Sequence, residues 1–378
     1  MQFEHPRAVA LLFGGVLAGM QAAFWLLPHA DFSEKEKRVL AAPPAVSAAS
    51  VADGSLFSQV ESYIADHFAG RDGWVGVDAY LAQAEGRNAV GGVVRGRDGW
   101  LFPAPLADNT ETLEKNMQAI TDFAGAQDTP VYLMAVPSAG AVVQDKLPAL
   151  HLDWPDADLL ERARRMAGDC VRWLDVTGYF QASDAPDALY YRTDHHWTSA
   201  GAYQAYCLLM QEQGKASVPP ETFDVKRVSG FYGTSYAKSG LWLTRPDEIA
   251  LWSDPALHAV TTVYDGDGRA PVTQQGMLFE EYLEQADKYA VFLSGNHARV
   301  HIETDADSDK RLLVVKDSYA HALAPFLAEE YRTIDLIDLR YFKRQTISDW
   351  LAKNPADEIL LVYGISSLMQ DKNLQWLA

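Results

Sequence analysis

The sequence is poor in cysteine and in basic residues, and each shortage excludes a class of protein. Its 378 residues include two cysteines, Cys170 and Cys207, which excludes a disulfide-rich scaffold and a metal site made of several cysteines. The two thiols form either one bridge or, more simply, two separate buried side chains. Lysine and arginine number 32 against 51 aspartates and glutamates, a net charge of −19. This balance argues against a general nucleic-acid-binding protein and against a polybasic membrane-surface protein.

The sequence also lacks internal repeats and low-complexity tracts, and its composition is that of a globular protein. Hydrophobic residues make up 48% of the chain and charged residues 22%, far from the profile of a disordered protein. At roughly 150 residues per domain, the length allows two domains or one large domain with insertions. The 10 tryptophans, 17 tyrosines and 15 phenylalanines suit a large core and also suit surfaces that face carbohydrate.

One long uncharged run lies near the N-terminus. Residues Ala8–Leu27 carry no charge, and a helix of this length can cross a bilayer. The run is longer than the apolar core of most signal peptides, and Pro28 and Ala30 make a poor cleavage site. We therefore predict that residues 1–28 are an uncleaved anchor rather than a cleaved signal segment, with a buried core helix as a third alternative. Basic residues lie on both sides of the run, so charge alone does not set its topology.

Beyond this run, the pattern predicts a linker followed by one α/β domain. Residues 29–55 hold two consecutive prolines and many alanines and serines, which is typical of a linker. Residues 56–378 contain apolar runs that suit buried strands, with helical patterns between most of them: Val131–Val136, Val171–Val176, Leu312–Val315, Ile334–Leu339 and Ile359–Tyr363. This alternation predicts an α/β fold with a mainly parallel sheet covered by helices on both faces. Residues 218–310 break the alternation, and we predict that they are an insertion that builds a substrate wall.

Three serines follow predicted strands, where the active residues of an open parallel sheet gather. Ser318 has the strongest context, because the strand Leu312–Val315 passes straight into a helical pattern. Such a sharp turn exposes the hydroxyl and directs the first backbone N–H groups of the helix at a developing oxyanion. The alternative is that Ser318 or Asp317 only caps the helix. Ser138 and Ser366 are predicted to be turn residues.

The succession Asp194, His195, His196 and Trp197 is the second candidate for chemistry. A serine hydroxyl is a poor nucleophile until an imidazole removes its proton, and a carboxylate must orient that imidazole. In an extended segment residues i and i+2 face the same side. Asp194 and His196 would therefore share a face, while His195 would point away.

Two other interpretations of this cluster stay open. Asp194, His195 and His196 could be metal ligands, with His297 or His301 as the further ligand that a metal site needs. The cluster could also be purely structural, with the tryptophan in the core and the histidines at the surface.

Several short motifs, taken together, resemble the DHHW protein family. They are AspHisHisTrp (194–197), LysAspSerTyr (316–319), AspLeuArgTyrPhe (338–342), PheSerGluLysGluLysArgValLeu (32–40), GlyArgAspGlyTrpLeuPhe (96–102) and PheTyrGlyThrSerTyr (231–236). That family is similar to the SGNH hydrolase-like acetyltransferases, among them the alginate O-acetyltransferases of bacterial exopolysaccharide export. The resemblance covers the chain from about residue 30 onward, and it implies an SGNH hydrolase-like fold for residues 56–378.

The resemblance implies a Ser-His-Asp triad formed by Asp194, His196 and Ser318. It also implies a glycine and an asparagine that complete the oxyanion hole, for which Gly295 and Asn296 have the right chemical types. The sequence departs from the family pattern at residues 316–318, where lysine precedes Asp-Ser in place of the usual glycine.

Two more residues complete the predicted set of oxyanion or substrate-binding groups. They are Tyr319, directly after the serine, and Arg340, which belongs to a small basic group beyond a strand end. Arg340 could meet the carboxylates of a sugar, or it could lie on an ordinary solvated face.

The expected function is that of a serine-dependent O-acyl transferase or esterase, with acetyl as the expected group, acting on a cell-envelope or exported polysaccharide. Its partners would be the polysaccharide, an acyl donor and the membrane, with no nucleic acid, no metal and no cofactor. The main domain would lie outside the cytoplasm, anchored by the N-terminal helix, or secreted if that segment is cleaved. A non-catalytic polysaccharide-binding or assembly component and a metal-dependent hydrolase are the alternatives.

Overall fold

The structure is a computed structural model that describes residues 6–107, 110–266 and 269–378. Its α-helices are α1 (Pro6–Leu26), α2 (Ala48–Ala52), α3 (Ser55–His67), α4 (Arg71–Ala84), α5 (Thr110–Gly125), α6 (Ala139–Val142), α7 (Asp156–Ala167), α8 (Val176–Gln181), α9 (Ser199–Glu212), α10 (Thr234–Ser239), α11 (Ala320–Leu327), α12 (Ile347–Leu351) and α13 (Ile365–Gln370). Short 3-10 helices are Gln144–Lys146, Pro186–Ala188, Pro220–Thr222, Glu280–Glu284, Lys288–Val291 and Leu374–Trp376.

The strands are short at the N-terminal end of the chain and longer from β6 onward. They are β1 (Phe32–Ser33), β2 (Arg38–Val39), β3 (Ala89–Val90), β4 (Val93–Arg95), β5 (Leu101–Pro103), β6 (Val131–Val136), β7 (Arg172–Leu174), β8 (Asp224–Phe231), β9 (Asp247–Ser253), β10 (Ala259–Tyr264), β11 (Val272–Gln275), β12 (Arg299–Thr304), β13 (Arg311–Lys316), β14 (Thr333–Ile337) and β15 (Glu358–Gly364). The chain forms two compact units, one of residues up to 91 with 236–243, the other of 92–235 with 244–378.

Helix α1 covers most of the predicted membrane segment. Its stretch Arg7–Leu26 has a mean hydropathy of 1.8, and none of it is buried inside the structure. By length and composition such a helix can cross a membrane, and a signal sequence near an N-terminus has the same character. Residues 1–5 of the predicted segment lie outside the described residues.

Residues 29–55 are more ordered than the predicted linker. They contain the β1–β2 hairpin and the short helix α2, whose N-cap Ser47 accepts a hydrogen bond from the backbone N–H of Ser50. Glu36, between the two strands, forms an ion pair of 2.7 Å with Arg71 of α4, and Arg38 of β2 pairs with Asp66 of α3. Charged side chains therefore tie this stretch to the helices that follow it within the same unit.

The larger unit is built on a mixed sheet. In the described part of the chain the strand order is β11–β10–β12–β14–β13–β15–β6–β7. The five strands from β14 to β7 are parallel to one another, whereas β12, β10 and β11 continue the sheet with antiparallel pairs. The predicted α/β class is confirmed, and the predicted parallel pairing holds for one part of the sheet.

Residues 218–310 contribute the three antiparallel strands of this sheet as well as the separate β8–β9 hairpin. Side chains of β10 alternate between buried and half-buried, which is the pattern of a strand that covers the core on one face. The segment predicted to be an insertion that builds a substrate wall thus contributes strands to the central sheet. Residues 267 and 268 of this region lie outside the described residues.

Helices cover both faces of the sheet. Successive side chains of a strand point to opposite faces, so each strand contributes to two hydrophobic cores, and helices pack against both. Leu313 lies in one core with residues of α5, α7 and α13, and its neighbour Val314 lies in the other with residues of α9 and α11. Strand β6 has the predicted limits. The predicted strand Val171–Val176 stops after Leu174, because Asp175 caps α8 by accepting a hydrogen bond from the N–H of Gly178.

The two cysteines are separate free thiols in this structure. Cys170 is exposed and Cys207 is half-buried. The prediction of two separate thiols therefore agrees with the structure, whereas the prediction that both are buried does not hold for Cys170.

Candidate active site

Ser318 lies on the turn between strand β13 and helix α11, at the carboxyl end of the parallel strands. The side chain of Asp317 holds this turn by accepting three hydrogen bonds, from the N–H of Tyr319 (3.0 Å), the N–H of Gly364 (2.8 Å) and the hydroxyl of Ser367 (2.6 Å). Gly364 is the last residue of the neighbouring strand β15, and Ser367 lies in the helix α13 that follows it. Asp317 thus braces the serine turn against the end of the next strand, and residue 318 is placed by the sheet itself.

The segment that carries both histidines is a bend rather than the predicted extended strand. Asp194 Oδ1 accepts a hydrogen bond from the backbone N–H of His196 at 2.9 Å, which is the Asx turn that aspartate forms with a residue two positions on. The bend ends at Thr198, whose hydroxyl caps α9 by accepting from the N–H of Gly201. The carboxylate of Asp194 and the imidazole of His196 are therefore brought together as predicted, but by a turned backbone conformation and not by an extended one.

Asp194, His196 and Ser318 form a continuous line of side-chain contacts. His196 Nδ1 lies 2.6 Å from Asp194 Oδ1, and His196 Nε2 lies 2.7 Å from Ser318 Oγ. With the imidazole proton placed on Nδ1 by the carboxylate, the lone pair of Nε2 faces the serine hydroxyl. His196 and Asp194 are 4% and 2% exposed, so water reaches neither freely.

The Asp194 carboxylate is kept ionised by its neighbours although it is buried. Burial alone would raise the pKa of Asp194, but the two adjacent imidazoles and the hydrogen bonds from His196 and Thr234 hold it well below its usual range. The backbone N–H of Thr234 donates to Asp194 Oδ2 at 2.6 Å. Gly233, just before it, packs so tightly that a Cβ there would overlap the side chain of Asp194.

Two reciprocal hydrogen bonds join the histidine segment to the serine turn. The Tyr319 hydroxyl donates to the carbonyl oxygen of His195 at 2.6 Å, and the indole N–H of Trp197 donates to the carbonyl oxygen of Tyr319 at 3.0 Å. Tyr319 is 5% exposed and Trp197 is fully buried. Tyr319, predicted to bind substrate or an oxyanion, forms with Trp197 a brace between the two segments in this structure.

Tyr289 lies flat against the imidazole of His196. The two rings are 4.0 Å apart between centroids and 6° from parallel, and the phenol hydroxyl reaches the carbonyl oxygen of Ser318 at 3.4 Å. Burial raises the pKa of Tyr289 well above its ordinary value, so the phenol stays neutral. A stacked aromatic face favours the positively charged form of an imidazole.

A buried charged array lies directly behind the serine turn. Lys316 Nζ lies 2.6 Å from His321 Nε2 and 3.6 Å from Asp338 Oδ2, and Asp338 accepts two hydrogen bonds from the guanidinium of Arg340. Burial lowers the pKa of Lys316, against the attraction of Asp338. Burial, together with Lys316, lowers the pKa of His321 far below its usual range, so that imidazole is neutral. The lysine that replaces the family's glycine thus belongs to an ion-pair network inside the fold.

Gly295 and Asn296, predicted to complete the oxyanion hole, lie on a loop near Arg340. Asn296 is exposed, and its Oδ1 accepts a hydrogen bond from Arg340 at 3.0 Å. Within the described residues, no hydrogen bond connects Gly295 or Asn296 to Ser318. Arg340, whose side chain is 35% exposed, is therefore joined to Asn296 on one side and to Asp338 on the other.

The remaining serines lie where turn or cap residues are expected. Ser138 precedes α6 and its backbone N–H donates to Asp156 at 2.7 Å, whereas Ser366 lies inside α13. Among the described residues, neither makes a hydrogen bond to His196.

The metal interpretation has the right atoms in reach, but those atoms are engaged with one another. Donor atoms of Asp194, His195 and His196 all lie within 4.8 Å of one another. His195 Nδ1, however, lies 2.6 Å from Thr234 Oγ1, and both ring nitrogens of His196 face triad partners. Neither proposed further ligand joins the cluster, because His297 pairs with Asp265 and Ser294, and His301 pairs with Asp335 and Glu303. The donor set fits a proton relay better than a metal.

Sequence reasoning did not single out Tyr289, Thr234 or the bracing role of Asp317. The sequence pattern marks Asp317 only as a helix cap. It marks Thr234 only as part of the PheTyrGlyThrSerTyr motif (231–236), which resembles the DHHW family. Nothing near Tyr289 in the sequence marks it, because its stacking on His196 is a contact between segments more than 90 residues apart.

Comparison with known proteins agrees with this architecture. The family model described as DHHW protein matches residues 161–337. The probable alginate O-acetylase AlgJ of Pseudomonas aeruginosa is 28% identical over 207 residues, which are 50% of this chain and 47% of that protein. The chain therefore matches less than half the length of this curated relative.

Two solved structures share the fold. A DHHW family protein from Eubacterium siraeum is 22% identical with a TM-score of 0.64, covering 76% of this chain and 95% of that one. PatB1 of Bacillus cereus is 20% identical with a TM-score of 0.62, covering 74% and 97%. The resemblance predicted from the motifs is thus confirmed: the DHHW family model matches a segment of this chain that contains Asp194, His196 and Ser318.

Proposed function

We propose that this protein is a serine-dependent O-acyltransferase or esterase, with acetyl as the group and a polysaccharide as the acceptor or substrate. The observation that carries the proposal is the unbroken line from Asp194 through His196 to Ser318, with contacts of 2.6 and 2.7 Å. These are the distances at which a carboxylate orients an imidazole and the imidazole removes a hydroxyl proton.

In the first half of the reaction, Ser318 takes an acyl group from a donor ester. As Oγ attacks the acyl carbon, its proton passes to His196 Nε2, and Asp194 stabilises the imidazolium that results. Tyr289, stacked on the same ring, favours this charged form. The tetrahedral intermediate then expels the donor's alkoxide, which takes the proton from Nε2 and leaves as an alcohol. Ser318 is left as an acyl ester.

In the second half, His196 removes a proton from the acceptor hydroxyl. A sugar hydroxyl gives a new ester and makes the protein a transferase, whereas water gives a free acid and makes it an esterase. In both cases the proton returns to Ser318 Oγ as the acyl group leaves. The choice depends on how well the site excludes water and positions the sugar.

The polysaccharide part of the proposal is supported by the related P. aeruginosa protein, whose name is alginate O-acetylase. The residues proposed to meet the sugar are Arg340 and Asn296, joined at 3.0 Å and partly open to solvent. A guanidinium in this position suits a sugar that carries carboxylates.

We further propose that α1 anchors the protein and that the larger unit lies outside the cytoplasm. The apolar stretch Arg7–Leu26 supports the anchor. Full-length protein should partition into detergent, and protease added to intact cells expressing it should cleave beyond residue 30. Protection of those residues would contradict the extracytoplasmic location.

The decisive experiment is to incubate the protein with an acetyl ester and to measure the mass of its peptides. The proposal predicts an increase of one acetyl group on the peptide that contains Ser318, and no increase on the corresponding peptide of the Ser318→Ala protein. Ser366→Ala is the matched control, because this serine also follows a strand of the same sheet but does not contact His196.

Two other results would replace the proposal. Polymer binding that survives in Ser318→Ala, together with no acetylation of the unaltered protein, would favour a non-catalytic binding component. A bound metal that is lost equally in His195→Ala and His196→Ala, and on which activity depends, would favour a metal-dependent hydrolase.

A further inference from the structure

A second serine, histidine and aspartate meet at the loop that also carries Gly295 and Asn296. The sequence SerGlyAsnHis (294–297) follows the 3-10 helix Lys288–Val291 and precedes strand β12. Its two ends are in contact: Ser294 Oγ lies 2.7 Å from His297 Nε2. On the other side of the ring, His297 Nδ1 lies 2.5 Å from Asp265 Oδ1.

The connectivity of these atoms is the same as that of Asp194, His196 and Ser318. In both sets a carboxylate contacts Nδ1 and a serine hydroxyl contacts Nε2, and the Nε2–Oγ distances are equal at 2.7 Å. The carboxylate places the proton on Nδ1, which leaves the Nε2 lone pair for the hydroxyl. The His297 side chain is 14% exposed and Asp265 is 36% exposed, so the group is within reach of solutes.

The backbone at this serine is strained. Leu293 and Ser294 have φ angles of +58° and +57°, and they are two consecutive non-glycine residues in the left-handed region. Such a conformation is unfavourable for residues with a side chain and is found where the surrounding structure enforces it, often at functional sites.

Nucleophilic serines are found on sharp, strained turns of this kind. Ser294 is followed by Gly295, whose φ of +92° is available to glycine at little cost. The hydroxyl has one competing acceptor, the carbonyl oxygen of Leu293 at 2.7 Å. The proton can move only to the imidazole, because a peptide carbonyl is far too weak a base.

We propose that Ser294, His297 and Asp265 form a second nucleophilic site that takes up acyl groups from small, activated esters. Ser294 Oγ attacks the acyl carbon and His297 Nε2 accepts the hydroxyl proton. The bond from the acyl carbon to the leaving oxygen breaks, and the leaving alkoxide takes the proton from Nε2. The products are an O-acyl Ser294 and a free alcohol, and water hydrolyses the ester by the same proton path in reverse.

A sulfonyl fluoride reports on this site without requiring turnover. Attack by Ser294 Oγ on sulfur displaces fluoride, and the hydroxyl proton remains on His297 or passes to solvent as hydrogen fluoride. The product is a stable sulfonyl ester that can be located by peptide mass spectrometry. The experiment uses the full chain with the substitution Ser318→Ala, so that the first site cannot be labelled.

Three variants in this background distinguish an activated serine from an exposed hydroxyl. His297→Gln keeps a polar side chain but removes the base, and Asp265→Asn removes the carboxylate. His258→Gln is the matched control, because His258 pairs with Asp305 at 2.9 Å on the surface and has no serine partner. Thermal melting of each variant establishes that it is folded. If either His297→Gln or Asp265→Asn fails to fold, the other still tests the proposal.

The proposal predicts that phenylmethanesulfonyl fluoride labels Ser294 in the Ser318→Ala protein. Labelling should fall about 100-fold or more in the folded His297→Gln or Asp265→Asn protein, which is the usual contribution of a general base, and should be unchanged in His258→Gln. Failure of Ser294 to react at concentrations that label Ser318 in the unaltered protein would overturn the proposal. Equal labelling with and without His297 would overturn it too, since the hydroxyl would then be unactivated.

Discussion

Replacement of Asp194 by asparagine tests the candidate triad most directly, because it changes one atom in a site that is otherwise closed. The carboxylate makes three contacts: His196 Nδ1 at 2.6 Å, His196 N–H at 2.9 Å and Thr234 N–H at 2.6 Å. The two backbone donors bind different oxygens, His196 N–H to Oδ1 and Thr234 N–H to Oδ2, so the single oxygen of an asparagine can keep only one of them. If the amide group then faces the imidazole, it donates to Nδ1 and forces the proton onto Nε2. The imidazole in that form cannot accept the proton of Ser318.

The magnitude follows from the behaviour of triads in general. Loss of the orienting carboxylate in a serine enzyme lowers kcat by about 10⁴-fold, which is about 5 kcal/mol of transition-state stabilisation. Removing the base or the nucleophile costs more, about 10⁶-fold. We therefore expect Asp194→Asn to be less damaging than His196→Ala or Ser318→Ala. The double variant lacking both should be little worse than either.

The assay is the rate of release of the alcohol from an aryl acetate, measured as kcat/KM with the Ser318→Ala protein as the baseline. His195→Ala is the matched control. His195 is next to the base but contacts Thr234 instead of the serine, so it should keep a measurable fraction of the activity. An Asp194→Asn protein with activity within about tenfold of the unaltered protein would refute the reasoning, since the carboxylate would then not set the imidazole proton. An essential His195 with a dispensable His196 would refute the assignment of the base.

Three further outcomes are expected. Gly233→Ala should lower both activity and melting temperature, because the new Cβ would overlap the side chain of Asp194; Gly73→Ala, at an open position inside α4, should be neutral or slightly stabilising. Tyr289→Phe should keep most activity whereas Tyr289→Leu should lower kcat/KM, because only leucine removes the ring stacked on His196; equal kcat/KM in the two variants would contradict a role for the stacking. Burial raises the pKa of Glu329 to about 7, so the stability that its protonated form contributes is full below about pH 4.5 and is lost as the pH rises through 7. The melting temperature of the unaltered protein should therefore fall over this pH range, and that of Glu329→Gln should fall less. An equal fall in both proteins would contradict the raised pKa.

The parts of the fold that were predictable from the sequence are those where local pattern and final packing agree. Strand β6, Val131–Val136, has the predicted limits because all six residues are buried, and a short run of apolar residues leaves little alternative. The turn at Ser318 follows for the same reason, since a buried strand passes directly into a helix.

Long-range pairing was not predictable in the same way. Nothing in the pattern of residues 218–310 indicates that three of their strands extend a parallel sheet in the antiparallel direction. Which strand lies next to which is decided by packing across the whole fold and leaves no local pattern. At the site, the pairing of residues 194 and 196 was predicted, but through an extended backbone. The Asx turn that forms instead uses the same carboxylate twice, once for the backbone and once for the imidazole. Tyr289 escaped notice because stacking between distant segments leaves no local signal.

The strand order of the central sheet has a consequence for the time at which Ser318 and His196 can meet during synthesis of the chain. Strand β13, which leads into Ser318, pairs on its two sides with β14 and β15, and both of these follow it in the chain. Strand β6, which begins about 180 residues before β13, also has β15 as its neighbour. A chain that has emerged only as far as α11 therefore has both the histidine segment and the serine, but lacks the two strands that pair with β13. The Asp317 brace of the serine turn is complete only after Gly364 and Ser367 have been added. The contact between Ser318 and His196 is thereby coupled to completion of the C-terminal strands.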